Sequence, residues 1–323
     1  MNKSLYRTPR LLLAPMEGVI DSVMREVLTG IGGYERCVTE FVRVSSTVLP
    51  PKVFYRLCPE LKNEGRTASG TPVYVQLLGS DPALMAANAK IAAKLGAPGI
   101  DLNFGCPAKT VNKSRGGATL LKTPKLIFDI CKAVRDATPA DTPVTAKVRL
   151  GFDDDSQFSD IADYAIKSGI GELTVHARTK AQAYRPPAQW SQLGTISKPR
   201  RIPIIANGEI WTPSDLARCR EQSGCGAFML ARGALCRPDL GRAIKEHAEN
   251  VYVTPMTWPE VTELLIHFFE ANGARYQRKY AVNPLKQWLV YLQYCYPQAA
   301  ALFAQVKRIR DSDDMMCALM GSI

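Results

Sequence analysis

From Arg10 to about Leu235 the chain alternates short β-rich runs with stretches long enough for a helix, and it does so eight times. The runs are 11–14 (LLLA), 37–41 (CVTEF), 73–77 (VYVQL), 99–103 (GIDLN), 144–149 (VTAKVR), 172–176 (ELTVH), 203–206 (PIIA) and 226–230 (GAFML). Strands spaced this way pair in parallel, because a parallel neighbour needs a crossover and a helix is the usual one. Eight such units close into a barrel of about 250 residues. The expected fold is therefore α/β, a (β/α)8 TIM barrel. The amphipathic segments 22–29, 82–95, 124–136, 159–168 and 213–222 are read as its helices. Pro82, Pro124 and Pro213 suit a first helical position, where the N–H has no partner anyway. Gly96 and Gly169 fall where helices should stop. The segment 42–72 is long for a connection and rich in Pro and Gly, so an elaborated loop on the catalytic face is expected.

After Asn250 the pattern changes. VYVTPMTWP (251–259) reads as a linker, and 260–280, 285–294 and 298–310 read as helices. The division is thus a barrel domain at 1–250 and a small C-terminal all-α helical bundle at 251–323. The formal net charge is +11, and seven of those charges lie between Ala271 and Arg310, a stretch with no acid. They are Arg275, Arg278, Lys279, Lys286, Lys307, Arg308 and Arg310, interleaved with Tyr276, Tyr280, Trp288, Tyr291, Tyr294 and Tyr296. Aromatics among basic residues suit a nucleic-acid surface. A bundle with core aromatics and solvated lysines gives the same pattern, and both readings stand at this stage.

Other classes fall away on composition. No run of about 18 apolar residues occurs, so no membrane span is expected. The polar, basic start MNKSLYRTPR is followed by only LLLAPM, too short for a signal-peptide core of about 7–15 apolar residues. Nine cysteines form no C-x-x-C pair and are odd in number. Neither a disulfide framework nor a metal site is expected, and a reducing cytoplasm fits.

Chemistry in such barrels sits at the C-terminal strand ends. Each run here ends in a functional-looking group: Ala14-Pro15-Met16, then Glu40 and Arg43, Gln76, Asn103 with Cys106, Lys147 with Arg149, His176 with Arg178, Asn207-Gly208-Glu209, and Ala231-Arg232-Gly233. The last two suit a phosphate cradle, with Arg232 pairing the anion; simple turns would also use Gly208 and Gly233. Gln76 and Lys147 can address the polar edge of a flavin ring. Lys147 can equally be an ion-paired lysine or a Schiff-base lysine, and His176 a hydrogen-bonded core histidine. Cys106 lies between Gly105 and Pro107, ahead of a basic, glycine-rich loop. Alone it reads as a buried small hydrophobe. Opposite a flavin, a protonated thiol of ordinary pKa, about 8.5, can complete the reduction of a C=C bond as general acid.

Several of these stretches are similar to one known family. APMEGVID (14–21), VQLLG (75–79), GIDLNFGCPAKTV (99–111), GGATLL (116–121), KVRLG (147–151), VHARTKAQAY (175–184), IANGEI (205–210) and ARGAL (231–235) resemble the tRNA-dihydrouridine synthases over the whole chain. FVRV (41–44), PELKN (59–63) and LKQWLVYL (285–292) most resemble the bacterial C-type branch, which acts on uridine 16 of the tRNA D-loop. The resemblance implies FMN held by Ala14, Pro15, Met16, Gln76, Lys147, His176, Asn207, Gly208, Glu209, Ala231, Arg232 and Gly233, with NADPH as reductant. It implies hydride transfer to C6 of uracil, proton transfer from Cys106 to C5, and Asn103 on the uracil edge. Arg43, Tyr184 and Lys286 are implied tRNA contacts, and the helical domain the rest of the tRNA surface. Arg115, larger than the pattern expects, adds a phosphate contact. A monomer is expected. Two rival readings remain: an FMN barrel that reduces a free pyrimidine, and a tRNA-binding module without turnover.

Overall fold

The structure is a computed structural model that describes residues 8–197, 202–249, 251, 254–277 and 280–322. Arg278 and Lys279 of the basic segment, part of the expected linker and the first seven residues lie outside the described residues. The chain runs β1 (Arg10–Leu13), α1 (Ser22–Ile31), β2 (Arg36–Val38), β3 (Val42–Arg43), α2 (Pro51–Leu57), β4 (Val73–Leu78), α3 (Pro82–Lys94), β5 (Ile100–Asn103), α4 (Lys109–Lys113), α5 (Pro124–Ala137) and β6 (Val144–Arg149). It continues through α6 (Phe158–Lys167), β7 (Glu172–His176), α7 (Trp190–Ser197), β8 (Ile204–Asn207), α8 (Pro213–Ser223), β9 (Ala227–Leu230), α9 (Arg232–Cys236) and α10 (Leu240–Ala248). Four further helices follow: α11 (Trp258–Arg275), α12 (Val282–Leu292), α13 (Pro297–Val306) and α14 (Ser312–Met320).

The strands pair in parallel in the order β2-β1-β9-β8-β7-β6-β5-β4-β3, and β2 also pairs with β4, which closes the ring. This is the expected (β/α)8 barrel. One stave differs from expectation. The run 37–41 is not one strand; it is split into β2 and β3, both paired with β4. Val38 faces Tyr74 and Val42 faces Leu77, so the split stave spends four steps where β4 spends three. One extra residue is a bulge, and bulges re-aim side chains beside active sites. The hydroxyl of Thr39 accepts the N–H of Gln76, and Glu40 turns aside to accept the N–H of Gly18.

Alternation along the strands sorts two cores. Leu12, Ala14, Val38, Ile205, Ala227 and Met229 form a separate apolar cluster within the ring. Their neighbours, such as Leu11, Leu13, Phe228 and Leu230, join the large cluster beneath the helices. The helix starts are capped as the sequence suggests. Asp81 accepts from Leu84 N–H ahead of Pro82, and Thr212 and Asp215 form a capping box ahead of Pro213. Gly96 and Gly169 take the positive φ of a helix stop.

The C-terminal helices depart from expectation at their ends. A capping box between Thr257 and Glu260 starts α11 at Trp258, inside the expected linker, and the helix stops at Arg275, not at 280. Helices α10 and α14 were not expected; Asp311, accepting from Asp313 and Asp314 N–H, caps the latter. These helices lean on the barrel. Trp288 is buried, packs edge-on against Phe268 and donates its indole N–H to the carbonyl of Leu235 (3.0 Å). The hydroxyl of Tyr276 donates to Asp21 (3.0 Å), and Arg275 reaches the carbonyl of Arg56 (3.0 Å). Trp288 and Tyr296 are thus core, whereas Tyr276, Tyr280 and Tyr294 are exposed. Among the described residues no helix is long and apolar enough to cross a membrane.

Candidate active site

The strand ends open into one cavity of about 520 Å³. Ala14, Pro15, Met16, Gln76, Asn103, Cys106, Lys147, His176, Tyr184, Asn207, Gly208, Glu209, Ala231, Arg232 and Gly233 all line it. The reason is period-two alternation. Gln76, Asp101 and Thr145 face one another across β4, β5 and β6, and one layer higher Asn103 sits opposite Lys147. His176 pairs with Arg149 on one side and Asn207 on the other.

Cys106 is half-buried at the cavity wall. Burial raises its thiol above the ordinary value; a bond from the Ala108 N–H and the charges of Arg149 and Arg43 oppose this, and Glu17 adds to it. The thiol therefore keeps its proton at neutral pH. Its loop is pinned on both sides. Asn103 Oδ1 accepts from the N–H groups of Gly105 and Cys106 (both 3.0 Å), while Arg149 Nε donates to the carbonyl of Gly105 (2.8 Å). Asn103 Nδ2 donates to Gln76 Oε1 (2.8 Å), and Gln76 Nε2 donates to Asp101 (2.7 Å).

The same cavity is crowded with cations. Lys147 Nζ donates to Asn207 Oδ1 (2.9 Å), and among the described residues it has no ion pair. The expectation of an ion-paired Lys147 is thereby set aside. Burial first, then the neighbouring Arg149, push it down to about 7. Burial and the charges of Arg149, Lys147, Arg178 and Arg232 hold His176 well below its usual range, so its ring is neutral. Arg178 is pushed down to about 10 by burial and by Arg232 and Arg149. Among the described residues only Glu209 forms an ion pair with Arg178. Cations that depress one another mark an unneutralised positive field, which an anion relieves. Arg232 lies between the rings of Tyr184 (5.1 Å) and Trp211 (5.0 Å). Two glycines make this wall possible. A Cβ on Gly233 would stand 2.2 Å from the carbonyl oxygen of Ile210, and one on Gly208, at φ +113, would stand 2.9 Å from the His176 ring.

With this geometry, residues 12–318 match the family described as dihydrouridine synthase (Dus). The chain belongs to the dihydrouridine synthase family. It is 49% identical to a tRNA-dihydrouridine(16) synthase of Escherichia coli K12, over 97% of this chain and 98% of the relative. It is 50% identical to one of Vibrio cholerae (93% and 92% covered) and 49% identical to one of Pseudomonas putida (94% of each). Among solved structures, a variant of NCR from Zymomonas mobilis is similar in fold (TM-score 0.51, 14% identity, 77% of this chain and 89% of that one). So is a 2-naphthoyl-CoA reductase complex (TM-score 0.56, 13% identity, 75% and 50% covered).

Three expected residues lie outside the cavity lining. Arg43 donates to the Thr110 carbonyl (3.1 Å) and Ser114 Oγ (2.7 Å), tying the bulged stave to the loop after Cys106. Arg115 is exposed at φ +58, a left-handed position. Lys286 donates to the carbonyl of Ile309, and burial and Arg310 lower its pKa. The lining also holds Arg149, noted at its strand end, and residues that sequence reasoning missed, among them Glu17, Phe41, Trp211, Met229 and Tyr291. Trp211 stands one residue past the IANGEI stretch, and Tyr291 lies in the aromatic-basic segment, so both carried a signal. Phe41 opens the FVRV stretch, but the bulge beside it is invisible in sequence.

Proposed function

We propose that this chain reduces the C5=C6 bond of uridine 16 in the tRNA D-loop to 5,6-dihydrouridine, with FMN in the barrel and NADPH as reductant. The observation that carries the reading is a protonated thiol and a surplus of cations in one cavity of a family member. The cation surplus fits a phosphorylated, anion-forming flavin. Ala14, Pro15, Met16, Gln76, Lys147, His176, Asn207, Gly208, Glu209, Ala231, Arg232 and Gly233 would hold it. Bound and reduced there, FMN supplies the hydride for C6 of the uracil.

The chain's own residues do the rest. Cys106 Sγ keeps its proton until it is given to C5, a general-acid step. Asn103 has spent its oxygen on the Cys106 loop and one N–H on Gln76, so a single N–H is left to donate to a uracil carbonyl. Lys147, which has no carboxylate partner among the described residues, favours negative charge beside it when protonated; the same lowered pKa would suit a Schiff-base amine, but family membership favours the first role. Phe41, Trp211 and Tyr291 rim the cavity and limit water. A base that lies against a flavin must leave its stack. The helices after residue 250, with Arg43, Arg115, Tyr184 and Lys286, form the proposed tRNA surface. The protein works in the cytoplasm as a monomer; the nine free cysteines support a reducing compartment.

The test is a purified protein with FMN, NADPH and tRNA lacking the modification. Dihydrouridine at position 16, with free uridine untouched, is the expected result. Reduction of free uridine would instead favour the free-pyrimidine reading. Tight tRNA binding without product would favour the binding module, and failure to take up FMN would refute all flavin readings.

A further inference from the structure

One member of the barrel's polar row plays no part in the chemistry above. Asp101 is 1% exposed and does not line the cavity. Burying an ionised carboxylate is costly unless its oxygens are satisfied. Here both are: Thr145 Oγ1 donates to Oδ1 (2.6 Å) and Gln76 Nε2 to Oδ2 (2.7 Å).

The consequence lies in polarity. A carboxylate only accepts, whereas a Gln or Asn amide has a donor end and an acceptor end and can be turned over. Asp101 obliges Gln76 to present Nε2, so Gln76 Oε1 faces the other way. There it accepts from Asn103 Nδ2, which leaves Asn103 Oδ1 facing the loop, where it receives the N–H groups of Gly105 and Cys106. From Asp101 to Cys106 each hydrogen bond sets a donor against an acceptor. Turning over either amide would set N–H against N–H at Asn103 or expose the two loop N–H groups to a donor.

We propose that Asp101 is a positioning residue that acts through Gln76 and Asn103 to fix the Cys106 loop in its proton-donating place. This deepens the function proposed above and rests on Cys106 being the acid. An asparagine at 101 keeps the shape and breaks the logic. Thr145 still donates to its oxygen, its NH₂ then faces Gln76, and the row inverts. Thr145 could escape by donating to the Ile100 carbonyl (3.4 Å). Asp101→Ala, which offers no acceptor at all, closes that route. The double variant Asp101→Asn/Gln76→Glu moves the acceptor-only group one place along and again presents an oxygen to Asn103 Nδ2.

The experiment reads Cys106 directly, as its rate of alkylation by iodoacetamide, resolved by peptide mass in a Cys295→Ser/Cys317→Ser background. No tRNA or turnover is needed, so an inactive wild-type enzyme would sink the proposed function and leave this test standing. Releasing the loop should raise the rate about fivefold or more in Asp101→Asn or Asp101→Ala, and the double variant should return it towards wild type. With tRNA, Asp101→Ala should lower kcat about tenfold or more while KM stays within about twofold, as a misplaced group does. Unchanged alkylation in both single variants overturns the proposal. So does a raised rate that the double variant leaves raised, since that is general loosening.

Discussion

Replacing Lys147 by methionine should stabilise the flavin-free protein, and more at pH 6 than at pH 9. Lysine titrates near 10.4 in an unfolded chain and at about 7 in the folded one. Between those values the unfolded chain binds more protons, so wild-type stability rises with pH; below about 7 the penalty is complete. At 1.36 kcal/mol per unit, an unscreened lysine costs about 4–5 kcal/mol at pH 6 and about 2 kcal/mol at pH 9. The open cavity admits water to Lys147, and screening reduces the difference between the two pH values to ~1–2 kcal/mol. Methionine removes the charge and keeps the length. It also takes the donor from Asn207 Oδ1, a loss of roughly 1 kcal/mol that does not vary with pH. Only the change with pH is therefore diagnostic. Guanidinium unfolding of flavin-free wild type and Lys147→Met at both pH values reads it. A variant advantage that is equal at the two pH values, or larger at pH 9, would show that Lys147 is not a penalised cation. Saturating FMN should favour wild type at pH 6, because an anion restores the lysine's partner.

Cys106→Ala should retain FMN and lose about 10²–10⁴ in the rate of dihydrouridine formation, the usual worth of a general acid; wild-type turnover in that variant would remove the role. The wild-type rate should hold through neutrality and fall only as pH rises past the raised thiol value, above the ordinary 8.5 or so. Cys106→Ala should lack that alkaline limb in its residual rate. Gly233→Ala places a Cβ 2.2 Å from a backbone oxygen; stability should fall by about 1–3 kcal/mol, with weaker FMN retention measured by absorbance after gel filtration. Lys307→Ala/Arg308→Ala, on an exposed part of the C-terminal helices, should lower the log–log salt slope of tRNA binding by about 1–2 if both meet phosphate.

The ring of strands is legible because the buried strands are short, β-rich and set off by helix-length gaps. Asp81-Pro82 and Thr212-Pro213 announce their helices by side-chain chemistry alone. The cavity residues are legible for a related reason. Once strand ends are known, period two assigns Gln76, Asn103, Lys147, His176 and Asn207 to one interior. What escapes is set by tertiary balance. The bulge at 39–41 depends on Thr39 serving β4 and Glu40 serving Gly18, partners far away in sequence. Helix α14 had a local signal in Asp311, hidden behind the basic stretch before it. The role of Asp101 is legible only from the register, since nothing in GIDLN says which neighbours its carboxylate will meet.

The docking of the C-terminal helices has an implication for the RNA. Trp288 is wedged under Leu235, and Tyr276 is latched to the cap of α1. Helices fastened at both points, as the proposed tRNA surface, would have little freedom to reach for a guest. On the proposed function, the deformation that would carry a nucleotide down to Cys106 then falls on the nucleic acid, and transcripts would be sorted by how readily their D-arm unfurls.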